Sequence, residues 1–302
     1  MRSDCHHFVF VLSTLVPLLS VFAEDNSFVQ TGIPRKILVG DYSTRLLALV
    51  NEQGDIDWKQ PIRQIHDASR LPNGNVLFQR SWTDIVEIDS EGATVWKYDA
   101  ANQHGNTGKK VEVHAFQRLA NGDTMIVESG SGRIIEVDAQ GTLKKEIVLT
   151  RNHKNFHTDT RLARKLENGN YLVAHEGDKV VREYNAQGTV VWDYLVGTKV
   201  YSAQRLANGN TLIGAGDGHR VLEVDQSGKT VWSVEEQDLP GITLAWITMV
   251  ERLPDGNTFI VNCHAGPENP QLLEVTSAKK VVWSFRDFKR FGNSLAVAHI
   301  VK

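Results

Sequence analysis

Polar side chains that could transfer protons or bind an anion recur at two fixed positions of a repeated unit. Eight residues before the glycine of each repeated turn, the chain has His66, His114, Arg161, Tyr201 and Thr248. Six residues after that glycine, it has Arg80, Glu128, His175, Ala215 and Asn262. Imidazole can act as a general base or nucleophile, guanidinium can neutralise an anion, and a phenol can donate a proton. The two sets are therefore candidates for a functional site.

The turns that define these positions read "RLPNGN", "RLANGD", "KLENGN", "RLANGN" and "RLPDGN". Their glycines are separated by 48, 47, 40 and 47 residues, a period typical of β-propeller blades. Asn-Gly or Asp-Gly between alternating apolar residues is a strong β-hairpin signal, and each unit contains four such short strands. The sequence therefore predicts an all-β propeller with four-stranded blades.

The two ends of the repeat region predict the number of blades. The segment "KILVGDYSTRLLALVNEQGDIDWKQ" supplies strands two to four of a unit, and "SLAVAHIVK" supplies a first strand at the C terminus. If these segments pair, one composite blade closes a ring of six, which removes the free edges of an open sheet. We predict a single propeller over residues 36–302, preceded by an N-terminal extension at 24–35.

The antiparallel order of the strands predicts where the two polar sets lie. The start of strand one and the end of strand two fall at the same end of the ring, and strand one lines the central channel. We therefore predict catalytic roles at one channel mouth for His66, His114, Arg161 and Tyr201. Substrate-binding roles are predicted for Arg80, Glu128, His175, His264 and, from the composite blade, His299. We expect His114 to be solvent-exposed, so that its loss changes stability by less than about 0.5 kcal/mol.

Residues present in nearly every unit are predicted to be structural. They comprise a fourth-strand tryptophan, a third-strand glutamate and a base before the turn leucine, as in Trp232, Glu223 and Arg252. A repeated aromatic residue favours packing between neighbouring sheets over ligand binding. Cys263 is predicted to be a small buried residue rather than a nucleophile.

The N-terminal segment indicates export. Residues 1–23 combine Arg2, an apolar run and small residues before Glu24, which is typical of a cleaved signal peptide. Cys263 is then the only thiol of the mature chain, so no internal disulfide can form. We predict a periplasmic or secreted monomer without a membrane span after cleavage. The net charge of −3 gives no reason to expect nucleic-acid binding.

The units "HDASRLPNGNVLF" and "SAQRLANGNTLIGAGDGHRVLEVDQSGKTVW" resemble blades of the quinoprotein-like (PQQ-like) propeller superfamily. They are most similar to the propeller of bacterial arylsulfotransferases, over about residues 36–302. That resemblance implies a channel histidine that takes a sulfuryl group, with His66, His114 and Arg161 as the matching residues. Propellers that hold pyrroloquinoline quinone have eight blades and are larger, so this cofactor is not expected.

Three functions fit the predicted mouth. The first is group transfer or elimination on a small anionic or carbohydrate-like substrate, which would make the protein a transferase or lyase. The second is a divalent-metal site formed by His66, His114 and His299, with Glu128 or Asp67. The third is a non-catalytic scaffold that binds a protein or saccharide. Convergent polar groups at a concave surface favour a small-molecule site over the scaffold.

Overall fold

Six antiparallel sheets form a closed ring. The structure is a computed structural model that describes residues 28–301. The predicted signal peptide at residues 1–23 lies outside the described residues. The prediction of an all-β six-bladed propeller is confirmed. Within the described part of the chain, no helix is long and apolar enough to cross a bilayer.

The strands of the first half are β1 (Val29–Thr31), β2 (Ile37–Asp41), β3 (Leu46–Val50), β4 (Ile56–Pro61), β5 (Ala68–Arg70), β6 (Val76–Gln79), β7 (Asp84–Ile88), β8 (Thr94–Asp99), β9 (Glu112–Arg118), β10 (Thr124–Ser129), β11 (Arg133–Val137) and β12 (Leu143–Val148). The strands of the second half are β13 (Ala163–Lys165), β14 (Tyr171–His175), β15 (Val180–Tyr184), β16 (Val190–Leu195), β17 (Ser202–Arg205), β18 (Thr211–Gly214), β19 (Arg220–Val224), β20 (Thr230–Glu235), β21 (Trp246–Arg252), β22 (Thr258–Cys263), β23 (Leu272–Val275), β24 (Val281–Arg286) and β25 (Leu295–Ile300). Two short 3₁₀ helices lie at Ala100–Asn102 and Glu236–Asp238.

Both chain ends close the ring. The C-terminal β25 pairs with β2 and becomes the first strand of blade one, as predicted. The structure adds a second closure, because β1 pairs with β24 as a fifth, outer strand of blade six. The indole of Trp283 donates a hydrogen bond to Gln30 Oε1 at 2.8 Å. Part of the predicted extension at 24–35 therefore belongs to the propeller.

A repeated contact joins neighbouring blades near the Asn-Gly turns, and we call it the inter-blade clamp. Between blades five and six, Arg252 pairs with Glu223 at 2.8 Å and stacks over the ring of Trp232. Asn210 donates a second hydrogen bond to the Glu223 carboxylate. A first-strand base makes the same kind of ion pair in three other blade pairs: Arg118–Glu87, Lys165–Glu136 and Arg205–Glu183. For Glu274 of blade six, the base is Arg35, from the segment before β2. The repeated residues are therefore structural, as predicted.

The first strand of each blade lines the central channel. Irregular pairing in three of these strands decides which residues lie at one end of the channel. β-bulges interrupt the pairing of three first strands, at His114, Thr248 and Ala296. A bulge leaves one residue unpaired and redirects its side chain. The bulges therefore place these three residues at equivalent positions near one end of the channel, which we call the mouth.

Candidate functional site

The mouth contains a cavity of about 280 Å³, the mouth cavity. Four aromatic residues line it: Tyr42, Trp82, Tyr201 and Trp246. The polar residues on its surface are Gln64, His66, His157, Arg161, Thr248 and His264. Cys263 and Ala296 complete the lining. Aromatic walls with a few convergent polar groups are typical of small-molecule sites.

His66 is the imidazole best placed to act on a bound molecule. Its ring stacks on Trp82 with centroids 5.2 Å apart, and its backbone N–H donates to Gln79 Oε1. Among the described residues, neither ring nitrogen has a hydrogen-bond partner. Burial, followed by the charge of Arg161, holds the pKa of His66 well below its usual range. At neutral pH the ring is therefore uncharged and keeps a free lone pair.

His114 lies beneath the mouth cavity and is completely buried. The expectation that it is solvent-exposed was wrong, because its ring is held between blades three and four. Nδ1 donates to the Thr160 carbonyl at 2.6 Å, and Nε2 lies 2.9 Å from Glu112 Oε2. Burial and Arg161 lower the pKa of His114 to about 4. His114 therefore supports the cavity from behind rather than lining it.

Glu112 brings two histidines together. Its Oε2 lies 2.9 Å from His114 Nε2 and 2.7 Å from His157 Nδ1. Burial alone would raise the pKa of Glu112, but hydrogen bonds from the two histidines lower it to about 2. If His114 is neutral and donates through Nδ1, the lone pair of Nε2 faces a carboxylate. Arg161 Nη1 lies 3.3 Å from the same Nε2 and can donate to it. The contact with the carboxylate itself is favourable only when a proton or a metal ion lies between the two atoms.

Arg161 forms the basic part of the cavity wall. Its Nη2 pairs with Glu176 Oε2 at 2.5 Å, and its guanidinium lies 4.9 Å from the centroid of Tyr201. Lys199 pairs with the same glutamate at 3.4 Å and lies over Trp246. Two bases share one carboxylate, so this wall carries one excess positive charge. Arg161 Nε is buried and has no partner among the described residues.

Two further cavity residues lie between blades one and six. His264 Nε2 is 2.7 Å from the Tyr42 hydroxyl, and burial lowers the pKa of its imidazole. Burial raises the pKa of the neighbouring Cys263 thiol. Since a nucleophilic cysteine needs a lowered pKa, Cys263 is a poor nucleophile. Its position at the buried end of β22 matches the prediction.

Three predicted substrate-binding residues lie away from the cavity. Arg80 has a side chain that is 42% exposed and pairs weakly with Asp84 of its own blade, at 3.8 Å. Glu128 is fully buried and pairs with Arg133 at 2.6 Å. His175 is also fully buried, between the Asp159 carbonyl and the Tyr184 hydroxyl. The position six residues after the turn glycine therefore holds blade contacts, not cavity residues.

The prediction that His299 lies at the mouth was wrong. The composite blade has no turn glycine from which to count, and the register of β25 decides the placement. Leu38 pairs with His299, whereas Gly40 and Asp41 pair with Val297 and Leu295 and leave Ala296 in the bulge. Ala296 is the blade-one equivalent of His114. His299 lies near the opposite, turn-bearing end of the channel.

Sequence reasoning missed several residues of the site. Glu112 precedes the counted position by two residues and so falls outside the count, although its carboxylate contacts His114. His157 lies in the loop before β13, and nothing in the sequence indicates its contact with Glu112. Trp82 and Trp246 break the fourth-strand tryptophan pattern. A tryptophan outside that pattern was the one available signal for them.

Two family models match parts of the chain. The model described as "Mal s 1 allergenic protein-like" matches residues 125–262. The PQQ_2 model, described as "Outer membrane protein assembly factor BamB", matches residues 29–166. Together with the six-bladed ring, these matches support a PQQ-like propeller. No curated protein matches the sequence significantly.

Solved structures with similar folds cover most of the chain. A protein of unknown function from Bacteroides caccae is 24% identical over 88% of this chain and 98% of its own, with a TM-score of 0.77. A catalytically inactive His-to-Ala variant of virginiamycin B lyase from Staphylococcus aureus, solved with quinupristin, is 12% identical. That match covers 88% of this chain and 90% of the lyase, with a TM-score of 0.60. Such identities show the fold alone, and the likeness to arylsulfotransferases stays a prediction.

Proposed function

We propose that this PQQ-like propeller binds a small anionic or carbohydrate-like molecule in the mouth cavity and acts on it by proton transfer. The observation that carries the proposal is the state of His66. It is a neutral imidazole with free ring nitrogens on the surface of an aromatic-lined cavity. A general base needs both a free lone pair and a position within reach of its substrate. The catalytically inactive His-to-Ala lyase variant on a similar fold agrees with a histidine-dependent reaction.

The other side chains suit an elimination. His66 would take a proton from carbon, and the electrons of that C–H bond would form a double bond as the leaving group departs. Arg161 would stabilise the developing negative charge through the excess positive charge of its wall. Tyr201 would protonate the leaving group, since burial raises the pKa of its hydroxyl and keeps the proton on it. The reaction class is that of a lyase.

A sugar or aryl ring fits the walls of the same cavity. Trp246 and Tyr201 meet edge to face with centroids 5.4 Å apart, and Trp82 lies on the opposite side, against His66. Aromatic faces bind apolar faces of rings, while the polar groups between them fix orientation. Group transfer by His66 as nucleophile remains the alternative within this proposal.

A second candidate function is a divalent-metal site. Glu112, His114 and His157 offer three ligand atoms that all lie within 4.8 Å of one another. An imidazole nitrogen of His114 beside the Glu112 carboxylate is a donor set that suits a divalent cation, which would have to displace the contact of Arg161 Nη1 with Nε2 at 3.3 Å. These three residues would hold the ion, which would polarise a substrate oxygen in the mouth cavity. The set differs from the predicted His66, His114 and His299.

The proposal can be tested with the mature protein and three probes: para-nitrophenyl glucuronide, para-nitrophenyl sulfate and quinupristin. Trp82 and Trp246 line the cavity, so binding should change intrinsic tryptophan fluorescence. For a turned-over probe, we expect His66→Ala to lower kcat by at least about 100-fold, because general-base catalysis contributes on that scale. The binding constant should change little. The acidic limb of the rate profile should lie below pH 6.5, since the lowered pKa keeps His66 unprotonated there.

His153→Ala is the matched control, since His153 is exposed on the same loop as His157. It should leave binding and rate unchanged. Elemental analysis of wild type and Glu112→Gln tests the metal site: stoichiometric metal present only in wild type would support that function. If no probe binds and no metal is found, the scaffold function replaces both. An unchanged rate in His66→Ala would contradict its role as the base.

A further inference from the structure

A second level of the channel carries side chains as varied as those at the mouth. In every blade, one first-strand residue lies opposite a second-strand residue, which in turn lies opposite the repeated third-strand glutamate or its equivalent. These six residues, the turn-end ring, are Ser69, Gln117, Arg164, Gln204, Glu251 and His299. A repeat position whose polar residue varies between blades is where a binding site is most easily built.

Part of this ring surrounds its own cavity of about 300 Å³, the turn-end cavity. Arg164, Gln204, Glu251 and His299 line it. It shares no lining residue with the mouth cavity, although consecutive residues such as Thr248 and Met249 contribute one to each. Between the two levels, Arg164 binds Asp67 through both terminal nitrogens, at 2.7 and 2.8 Å. The channel therefore contains two separate chambers.

Most polar groups of the ring are already used by the protein. The amide oxygens of Gln117 and Gln204 accept hydrogen bonds from the backbone N–H groups of Lys165 and Arg252. The charge of Arg164 is balanced by Asp67. Arg205, at the edge of the cavity, pairs with Glu183 at 2.6 Å.

Glu251 is the exception. Among the described residues, its ion-pair partner is His299 alone, at the long distance of 3.8 Å, and its side chain is 41% exposed. Nε2 of His299 is buried and has no partner among the same residues. With Arg164 and Asp67 neutralising each other, the turn-end cavity keeps one uncompensated negative charge. A carboxylate at the wall of a partly enclosed space attracts a cation more strongly than one in bulk water.

Apart from the Ser202 hydroxyl, the remaining wall is apolar, with Leu162, Met249, Phe259 and Ala298 around the same cavity. A divalent metal would need several oxygen or nitrogen ligands, which one carboxylate and one imidazole do not supply. We propose that the turn-end cavity binds a small organic cation, a primary ammonium on a short hydrocarbon body. Glu251 pairs with the ammonium, and the apolar wall covers the hydrocarbon.

Isothermal titration calorimetry with n-butylammonium chloride tests this site in the mature protein. We expect saturable binding by wild type and at least tenfold weaker binding by Glu251→Gln. Sodium butyrate, which has the same body and the opposite charge, should not bind. Glu167→Gln is the control, since Glu167 is an exposed glutamate near the same end of the channel. His66→Ala should bind the amine normally, because His66 lies in the other chamber.

Thermal unfolding of each variant distinguishes loss of the site from loss of the fold. If Glu251→Gln melts like wild type and binds the amine as tightly, the proposal is wrong. No binding by wild type, equal binding of butyrate, or displacement of the amine by stoichiometric magnesium would also overturn it. None of these results bears on His66 or on chemistry at the mouth.

Discussion

The two ends of the propeller use polar residues in opposite ways. At the turn end, four blade pairs repeat one arrangement, in which a base of one blade pairs with a glutamate of its neighbour. At the mouth, the equivalent positions vary between blades, with histidine in two of them and four other residue types in the rest: His66, His114, Arg161, Tyr201, Thr248 and Ala296. The repeated ion pairs hold neighbouring blades together, whereas the residues that vary between blades line a cavity.

The difference also lies in how the charges are satisfied. In the clamp, Glu223 receives Arg252 and Asn210 and has no need of a ligand. Among the described residues, unpartnered buried atoms also occur in the clamp, at Arg252 Nε, but at the mouth Arg161 Nε, Trp246 Nε1 and Thr248 Oγ1 belong to residues that line one cavity, as His66 does. Buried or half-buried polar groups without partners are costly. Their concentration around the mouth cavity is the physical argument for a ligand.

The largest expected effect comes from opening the ring. Deleting residues 295–302 removes β25, whose Leu295, Val297 and Ala298 are almost completely buried. It leaves β2 as a free edge in blade one and exposes the core to solvent. We expect loss of cooperative unfolding and a sharp fall in solubility, measured by circular dichroism and by the soluble fraction after expression.

Deletion of residues 28–31 is the matched comparison. It removes β1, which only covers the outer edge of blade six. We expect a folded protein with a lower melting temperature. If the C-terminal deletion melts like wild type, β25 does not close the ring.

The comparison also explains what the sequence could predict. Repetition is visible in one chain, so the turn glycines and the lone C-terminal strand were enough to predict six blades and their closure. The candidate site depends on residues and pairings that depart from the blade repeat. The composite blade lacks a turn, so counting placed His299 at the wrong end. The β-bulge at His114 and the burial of its ring beside Glu112 are set by three-dimensional pairing and packing, not by any local motif. The same holds for His157, which reaches Glu112 from a loop 45 residues further along the chain.

Substitution of His114 and of His66 should show which of the two histidines stabilises the fold and which serves the candidate site. His114 is fully buried, so His114→Ala leaves a cavity and an unpartnered Thr160 carbonyl, while Glu112 Oε2 keeps its contact with His157 alone. We expect a loss of about 2 to 4 kcal/mol in the free energy of unfolding. His66 is half-buried and has no side-chain hydrogen bonds among the described residues, so His66→Ala should cost less than about 1 kcal/mol.

Urea denaturation of both variants measures this difference. Equal losses would mean that the two histidines share one structural role. A stable His114→Ala protein would restore the earlier expectation that this residue lies in solvent.

An effect smaller than that of His114→Ala is expected at a turn far from the mouth. Gly122 has a φ of +89°, and a Cβ added there would meet no atom within 4 Å. Gly122→Val therefore introduces backbone strain without a steric clash, and we expect it to cost about 1 to 2 kcal/mol. Binding of any probe at the mouth should be unchanged, because the turn contributes to blade stability alone. If Gly122→Val weakened the free energy of probe binding by more than it lowered the free energy of unfolding, the two ends would be coupled. The division between a repeated scaffold and a variable site would then fail.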